Sequence, residues 1–288
     1  MNQPSLRELV GDLKNRSDLR STPVRLRYLD NQGTVGPGVG IKTTRHTFPR
    51  ANYCDVSSLR FRGKITITSS DPNIKLASGD VSALLERVKV TLGNKEIYLQ
   101  DRNDLVSTFS TNLEVTAPER DSFENYLRMY PSDETRASQE SAAQTENFTI
   151  VGNLGHKGSF VNCQSIWPLK FFRTGLNVDL WWNDPAKCLY SPANDTNATY
   201  EISEFEIYYD SLESPSLDLY FSQNAISYHT HQCKHLINFI QAGSVQTTMR
   251  IPSNTSNASS VFHFIQPQSQ VNDISIESLE NNFIHASD

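Results

Sequence analysis

Apolar and polar residues change period several times along this chain, and the changes are sharpest between Leu84 and Tyr130. Val88, Val90 and Leu92 alternate with Lys89 and Thr91, which predicts a half-buried strand. Gly93-Asn94 tolerates positive φ and predicts a tight reversal. A second strand follows, with Ile97 and Leu99 as its apolar face. From Asp101 the period lengthens: Leu105, Phe109 and Leu113 recur every four residues, and after Pro118 a helical stripe restarts with Phe123, Tyr126, Leu127 and Tyr130. The spacing therefore predicts a hairpin feeding helices over 102–130.

Elsewhere the chain reads mainly as strands. Val24, Leu26 and Tyr28 alternate with Arg25 and Arg27. Leu59, Phe61, Ile65 and Ile67 mark a long strand with Gly63 as a candidate bulge. Phe148 and Ile150, Phe160 and Val161, Leu176 to Trp182, and Tyr200, Ile202, Phe205, Ile207 and Tyr209 continue the pattern. Residues 131–146 hold no large apolar side chain and predict an exposed loop. Residues 211–216 read as a linker, beyond which Leu217, Leu219 and Phe221 and then 236–241, 245–251, 260–265 and 271–276 read as further strands. Residues 4–13 predict a short amphipathic helix, with Pro4 at its start, a Ser5/Glu8 capping box, and a stripe of Leu6, Leu9, Val10 and Leu13. Such a short helix must dock to persist. The expected fold class is mainly β, a sandwich or closed barrel with few short helices. The expected divisions are an arm over 1–20, a first β domain over 21–212, and a second part over 213–288.

Charge sharpens this picture. The 288 residues carry a net charge of −6, which argues against a basic coat over the whole surface. Residues 1–50 nevertheless hold nine Lys and Arg against four acids, whereas 211–288 hold two against six. The opening residues contain no apolar run, so neither a signal peptide nor a membrane span is expected. Cys54, Cys163, Cys188 and Cys233 form no C-x-x-C pair and are expected as free thiols of a protein made inside a cell. Six N-x-[ST] sequons read as loop chemistry.

Catalytic motifs are missing: there is no G-x-S-x-G, H-E-x-x-H, EF-hand loop or G-x-G-x-x-G. NQGTVGPGVG over 31–40 approaches a phosphate-binding loop, but Lys42 stands one residue too far from Gly40, and the segment predicts a turn. Glu204 and Glu206 share a strand face and read as a solvated edge rather than a catalytic pair. No catalytic residue and no cofactor are assigned.

The metal candidates are His229, His231, Cys233 and His235, which alternate and would share one face of a strand. Such a straight row spans about 20 Å, far more than the ~4 Å width of a tetrahedral zinc site. A full site would need a bend or a ligand such as His263. The reading preferred is a polar face at a subunit contact, sensitive to protonation.

Three blocks carry a family resemblance: RANYCDVSSLRFRGKITIT, LLERVKVTLGNKEIYLQDRNDLVSTFSTNLE and SIWPLKFFRTGLNVDLWWNDPAKCLY. Their order over 50–210 resembles the double jelly-roll major capsid proteins of DNA viruses, the adenovirus, virophage and polinton-like lineage. The resemblance implies a jelly-roll fold, with a first jelly roll over 21–212 and a second, short or incomplete one over 213–288, in a non-enzymatic shell subunit that assembles as pseudo-hexameric homotrimers into an icosahedral virion. Its partners would be itself, neighbouring capsomers, and penton or minor cement proteins, with the packaged genome touched only indirectly. One alternative is a carbohydrate- or receptor-binding β-sandwich using Trp167, Trp181 and Trp182; another is a β-rich hydrolase with a dispersed site.

Overall fold

The computed structural model describes residues 19–71, 74–76, 81–114, 148–224, 227–228 and 230–234. The helix expected over 4–13, the stripe beyond Pro118, the loop over 131–146 and the strands from 236 onward lie outside them.

Eleven strands are described. Eight of them wrap a sandwich: β1 (Arg20–Arg27), β2 (Thr43–Phe48), β3 (Tyr53–Thr68), β5 (Leu85–Leu92), β6 (Lys95–Asp101), β7 (Phe148–Gly152), β9 (Leu176–Trp182) and β11 (Thr199–Glu213). One sheet has the order β1-β11-β3-β7 and the other β2-β9-β5-β6, with every neighbouring pair antiparallel. The chain passes between the sheets repeatedly, so each sheet mixes early and late strands. That is the wrapping of a jelly roll. The short strands β4 (Lys75–Leu76) and β10 (Leu189–Tyr190) pair with each other, and β8 (Ile166–Trp167) extends β3. Among the described residues the α-helices are α1 (Asn103–Glu114), α2 (Pro185–Cys188) and α3 (Pro215–Gln223).

The core is aromatic where the sheets face each other. Trp182 meets Phe205 edge-on at 4.9 Å and Phe61 at 6.3 Å, while Phe48 lies 5.2 Å from Tyr209 and 5.6 Å from Trp167. Such pairs contribute about 0.5–1.5 kcal/mol each beyond their area burial. The glycine-rich segment 31–40 is an ordered turn: Val35 is fully buried and exchanges backbone hydrogen bonds of 2.9 and 2.8 Å with Ile202.

Four sequence expectations are corrected. The bulge falls opposite Gly63 rather than on it. Glu204 and Phe205 intervene between the pairs Ser203↔Lys64 and Glu206↔Arg62, with Glu204 at φ +52°. Gly63 supplies the room, since a Cβ there would lie 2.4 Å from Ile202 Cγ2. The bulge also breaks the expected pairing of Glu204 with Glu206: Glu204 is exposed, whereas Glu206 is buried.

The second correction concerns β6. A register shift between Val90 and Thr91 puts Glu96 opposite Thr91 and Tyr98 opposite Val90, leaving Ile97 extra. A one-residue slip exchanges the faces of a strand. Tyr98 and Gln100 therefore point into the core, while Ile97 is exposed and Leu99 half-exposed.

Third, the expected linker and strand after 211 are the end of β11 and the helix α3. Ser214 caps α3 by accepting from the Ser216 backbone N–H, and Pro215 occupies its first turn, where its missing N–H costs nothing. Leu217 and Phe221, four apart, are buried, and Leu219 faces solvent. Fourth, Phe160 and Val161 lie in a turn closed by Ser159 and Asn162, not in a strand.

Candidate assembly surfaces

Three regions concentrate polar chemistry: the end of the sandwich where α3 docks, a loop covered by residues 227–228 and 230–234, and the two outer sheet faces.

The helix α3 closes a small second core of Tyr53, Ile166, Leu212, Leu217 and Phe221. The rings of Tyr53 and Phe221 stack at 5.1 Å. Tyr53 Oη donates to Asp218 Oδ1 at 2.5 Å, and Lys170 pairs with the same carboxylate while its Nζ sits 5.0 Å over the Tyr53 ring. Hydrogen bonds from Lys170 and Tyr53 hold the Asp218 carboxyl below its usual range, and burial followed by Asp218 pushes the Tyr53 phenol up. The chain leaving the sandwich is thus clamped to it. Exposed Phe171 and Leu219 flank this end.

The loop after β7 is covered by the segment containing two of the metal candidates. His231 N–H donates to Gly158 O at 2.9 Å, and its ring lies over Gly158, where a Cβ would come within 2.8 Å of Cδ2. Gln100 grips the next turn of chain by its side-chain amide. Its Oε1 accepts from Cys233 N–H at 3.0 Å, and its Nε2 donates to Cys233 O at 3.0 Å. Gln232 Nε2 donates to Leu99 O at 2.5 Å, and Tyr228 Oη to Ile166 O at 2.8 Å. Beneath lies His156, 7% exposed, both of whose nitrogens lack a hydrogen-bond partner among the described residues. Burial, then the charge of His231, lowers its pKa to about 4. Burial raises the Cys163 thiol to about 11, so it is a thiol at neutral pH.

The four-residue row is therefore placed only in part. His231 and Cys233 lie in a segment that forms no strand ladder among the described residues, and His229 and His235 lie outside those residues. Among the described residues, no three His, Cys, Asp or Glu side chains are grouped so as to hold a metal ion. All four cysteines are free thiols. Sequence reasoning missed His156 and Gln100. The alternation of Tyr98 and Gln100 could have raised Gln100, but nothing in the sequence joins either residue to 231–233.

The aromatic platform expected for a saccharide does not form. Trp167 is fully buried and Trp182 is 2% exposed. Trp181 alone of the three reaches the surface, where Arg87 lies 5.5 Å over its ring. As adjacent strand positions require, Trp181 and Trp182 take opposite faces.

No family model matches the chain, and no curated protein matches it. Among solved structures the chain is similar to PBCV-1 VP54, in a crystal structure fitted into a cryo-EM reconstruction of the virophage Sputnik. The identity is 8% and the TM-score 0.47, covering 73% of this chain and 46% of that one. The chain spans less than half the length of that structure. The jelly-roll assignment rests on the strand order described above. No helix among the described residues is long and apolar enough to cross a membrane.

Proposed function

We propose that the protein is a viral capsid subunit of the double jelly-roll major capsid type, with its first jelly roll over 21–212 and a second, short or incomplete one over 213–288. It assembles as a homotrimer whose paired barrels approximate a hexagonal tile. The observation that carries this reading is the strand order, β1-β11-β3-β7 facing β2-β9-β5-β6, joined to the sequence blocks over 50–210 that resemble that family. The clamp at α3 supports it, because a chain fixed at the end of one barrel can hand a defined geometry to a second over 213–288. Loops gathered at the ends of a closed sandwich can meet neighbours without disturbing the core. Weak contacts repeated around a shell then add up through multivalency. The remaining partners would be neighbouring capsomers and penton or cement proteins, in a virion assembled inside the host cell. Electron microscopy of the expressed protein tests this: three-fold capsomers or shells support the proposal, and a monomer at every concentration refutes it.

A further inference from the structure

The two outer faces of the sandwich follow different charge plans. On the β2-β9-β5-β6 sheet three cations each have an acid of their own. Arg45 grips Asp179 through Nε at 2.6 Å and Nη2 at 2.9 Å, Lys89 pairs with Glu96 at 3.1 Å, and Arg87 pairs with Asp101. On the β1-β11-β3-β7 sheet, strand register puts Arg27 and Arg62 on either side of Glu206, and Arg25 beside Tyr208, whose other neighbour is Arg60. Arg62, Arg27 and Arg25 share the one Glu206 carboxylate at 3.6, 3.7 and 3.9 Å. Those separations exceed hydrogen-bond length, so the forks keep donors uncommitted. Glu206 is 6% exposed, while the Arg25, Arg27 and Arg62 side chains keep 54%, 70% and 45% of their exposure. Lys64 on the same face is matched by Glu204 at 2.6 Å. Three arginines thus share one buried acid, with exposed Glu204 close enough to act on Arg62 and Arg27 as well as on Lys64, so four cations face two acids here, in a chain whose net charge is −6.

This surplus has a defined layout. Arg25 and Arg27 are about 7 Å apart along β1, and Arg27 and Arg62 about 10 Å apart across β11. Separate guanidinium forks on a pleated surface suit a line of phosphates, which Arg binds bidentately. They suit a protein partner less well, because the buried centre of a protein interface is apolar and depleted of charge. No large apolar side chain is exposed on the described residues of β1, β3, β7 or β11.

We infer that this sheet face is a sequence-independent binding site for the phosphodiester backbone of nucleic acid, with Arg25, Arg27 and Arg62 as its phosphate contacts and Glu206 as the anchor that spaces them. The site stands apart from the assembly reading and does not depend on it. It also revises the expectation that a genome is touched only indirectly.

The test is fluorescence anisotropy of a labelled single-stranded DNA 20-mer with the full-length chain at rising salt. Three phosphate contacts on a single strand predict a slope of log K against log salt of about −2, and hence roughly fifteenfold weaker binding from 50 to 200 mM. Arg25→Gln/Arg27→Gln leaves Arg62 to pair Glu206 and is expected to flatten the slope to about −0.7. Adding Arg62→Gln and Glu206→Gln, which removes the buried charge with its partners, is expected to abolish binding. Arg87→Gln/Lys89→Gln on the opposite face is expected to bind as the parent does. Undiminished binding by either arginine variant overturns the inference, as does equal loss in the opposite-face control. Competition by oligoglutamate as effective as by DNA of equal charge would assign the face to an acidic protein partner and overturn it too.

Discussion

Acid should loosen the cover over the loop after β7, and the effect can be worked from His156. Its imidazole is buried, meets no acid among the described residues, and faces His231. An unfolded histidine titrates near 6.5, and His156 in the folded protein near 4. Above pH 6.5 neither state takes up the proton, and stability is flat. Between 6.5 and 4 the unfolded chain binds a proton that the native state refuses, so stability falls as pH falls. Below 4 the loss levels off. At about 1.4 kcal/mol per pH unit, His156 costs about 2 kcal/mol at pH 5 and about 3 kcal/mol at pH 4. His46 contributes a parallel loss. It lies between Tyr28 and Phe205, and burial lowers its pKa to about 4, although Asp179 opposes the shift. The assay is urea unfolding from pH 8 to 4, followed by the fluorescence of buried Trp167 and Trp182. His156→Leu should remove about half of the acid-dependent loss, and the protection of amides at 227–228 and 230–234, taken relative to their intrinsic exchange rates, should lose its sensitivity to pH. An unchanged pH slope in His156→Leu would refute the reasoning.

Three further outcomes follow from the same contacts. Gly63→Ala should destabilise by about 1–3 kcal/mol through its clash with Ile202 Cγ2, read as a lowered thermal midpoint with an unchanged circular dichroism spectrum. Phe221→Ala should cost about 3–5 kcal/mol in the small core beneath α3, and Tyr53→Phe about 1 kcal/mol through its lost bond to Asp218; both should raise hydrogen exchange in α3 before the sheets, and uniform exchange would contradict a local clamp. Elemental analysis of the purified protein should find no stoichiometric zinc, and stoichiometric zinc lost in His229→Ala/His231→Ala would establish the His229, His231, Cys233 and His235 row as ligands.

Much of the fold was legible because period two and its tight turn are local facts. Val88, Val90 and Leu92 are a strand, Gly93-Asn94 is the turn between β5 and β6, and Leu176 to Trp182 is a central strand. The bulge was written into β11 too, where the apolar sequence jumps three positions from Ile202 to Phe205 before resuming by twos. The faces of β6 were not legible, because Ile97 and Leu99 are as apolar as a core pair and only the register to β5 turns them outward. For α3, the Ser214-Pro215 start was visible, yet the alternation of Leu217, Leu219 and Phe221 fits a strand as well as a helix. The arginine face lay in the alternation of Arg25 and Arg27, but its surplus depends on Glu206 and Arg62, which only strand pairing brings beside them. Likewise His156 and His231 meet only because the chain doubles back over Gly158.

The assembly claim is tested most directly by size-exclusion chromatography with light scattering on the full chain, followed by electron microscopy of the main peak. The expected result is the mass of three chains and three-lobed, pseudo-hexagonal particles. Deleting residues 1–18 should leave cooperative unfolding intact while reducing that peak, because the helix expected there needs a surface to dock on. A single chain's mass at every concentration, with no higher-order particles in the images, would contradict the account.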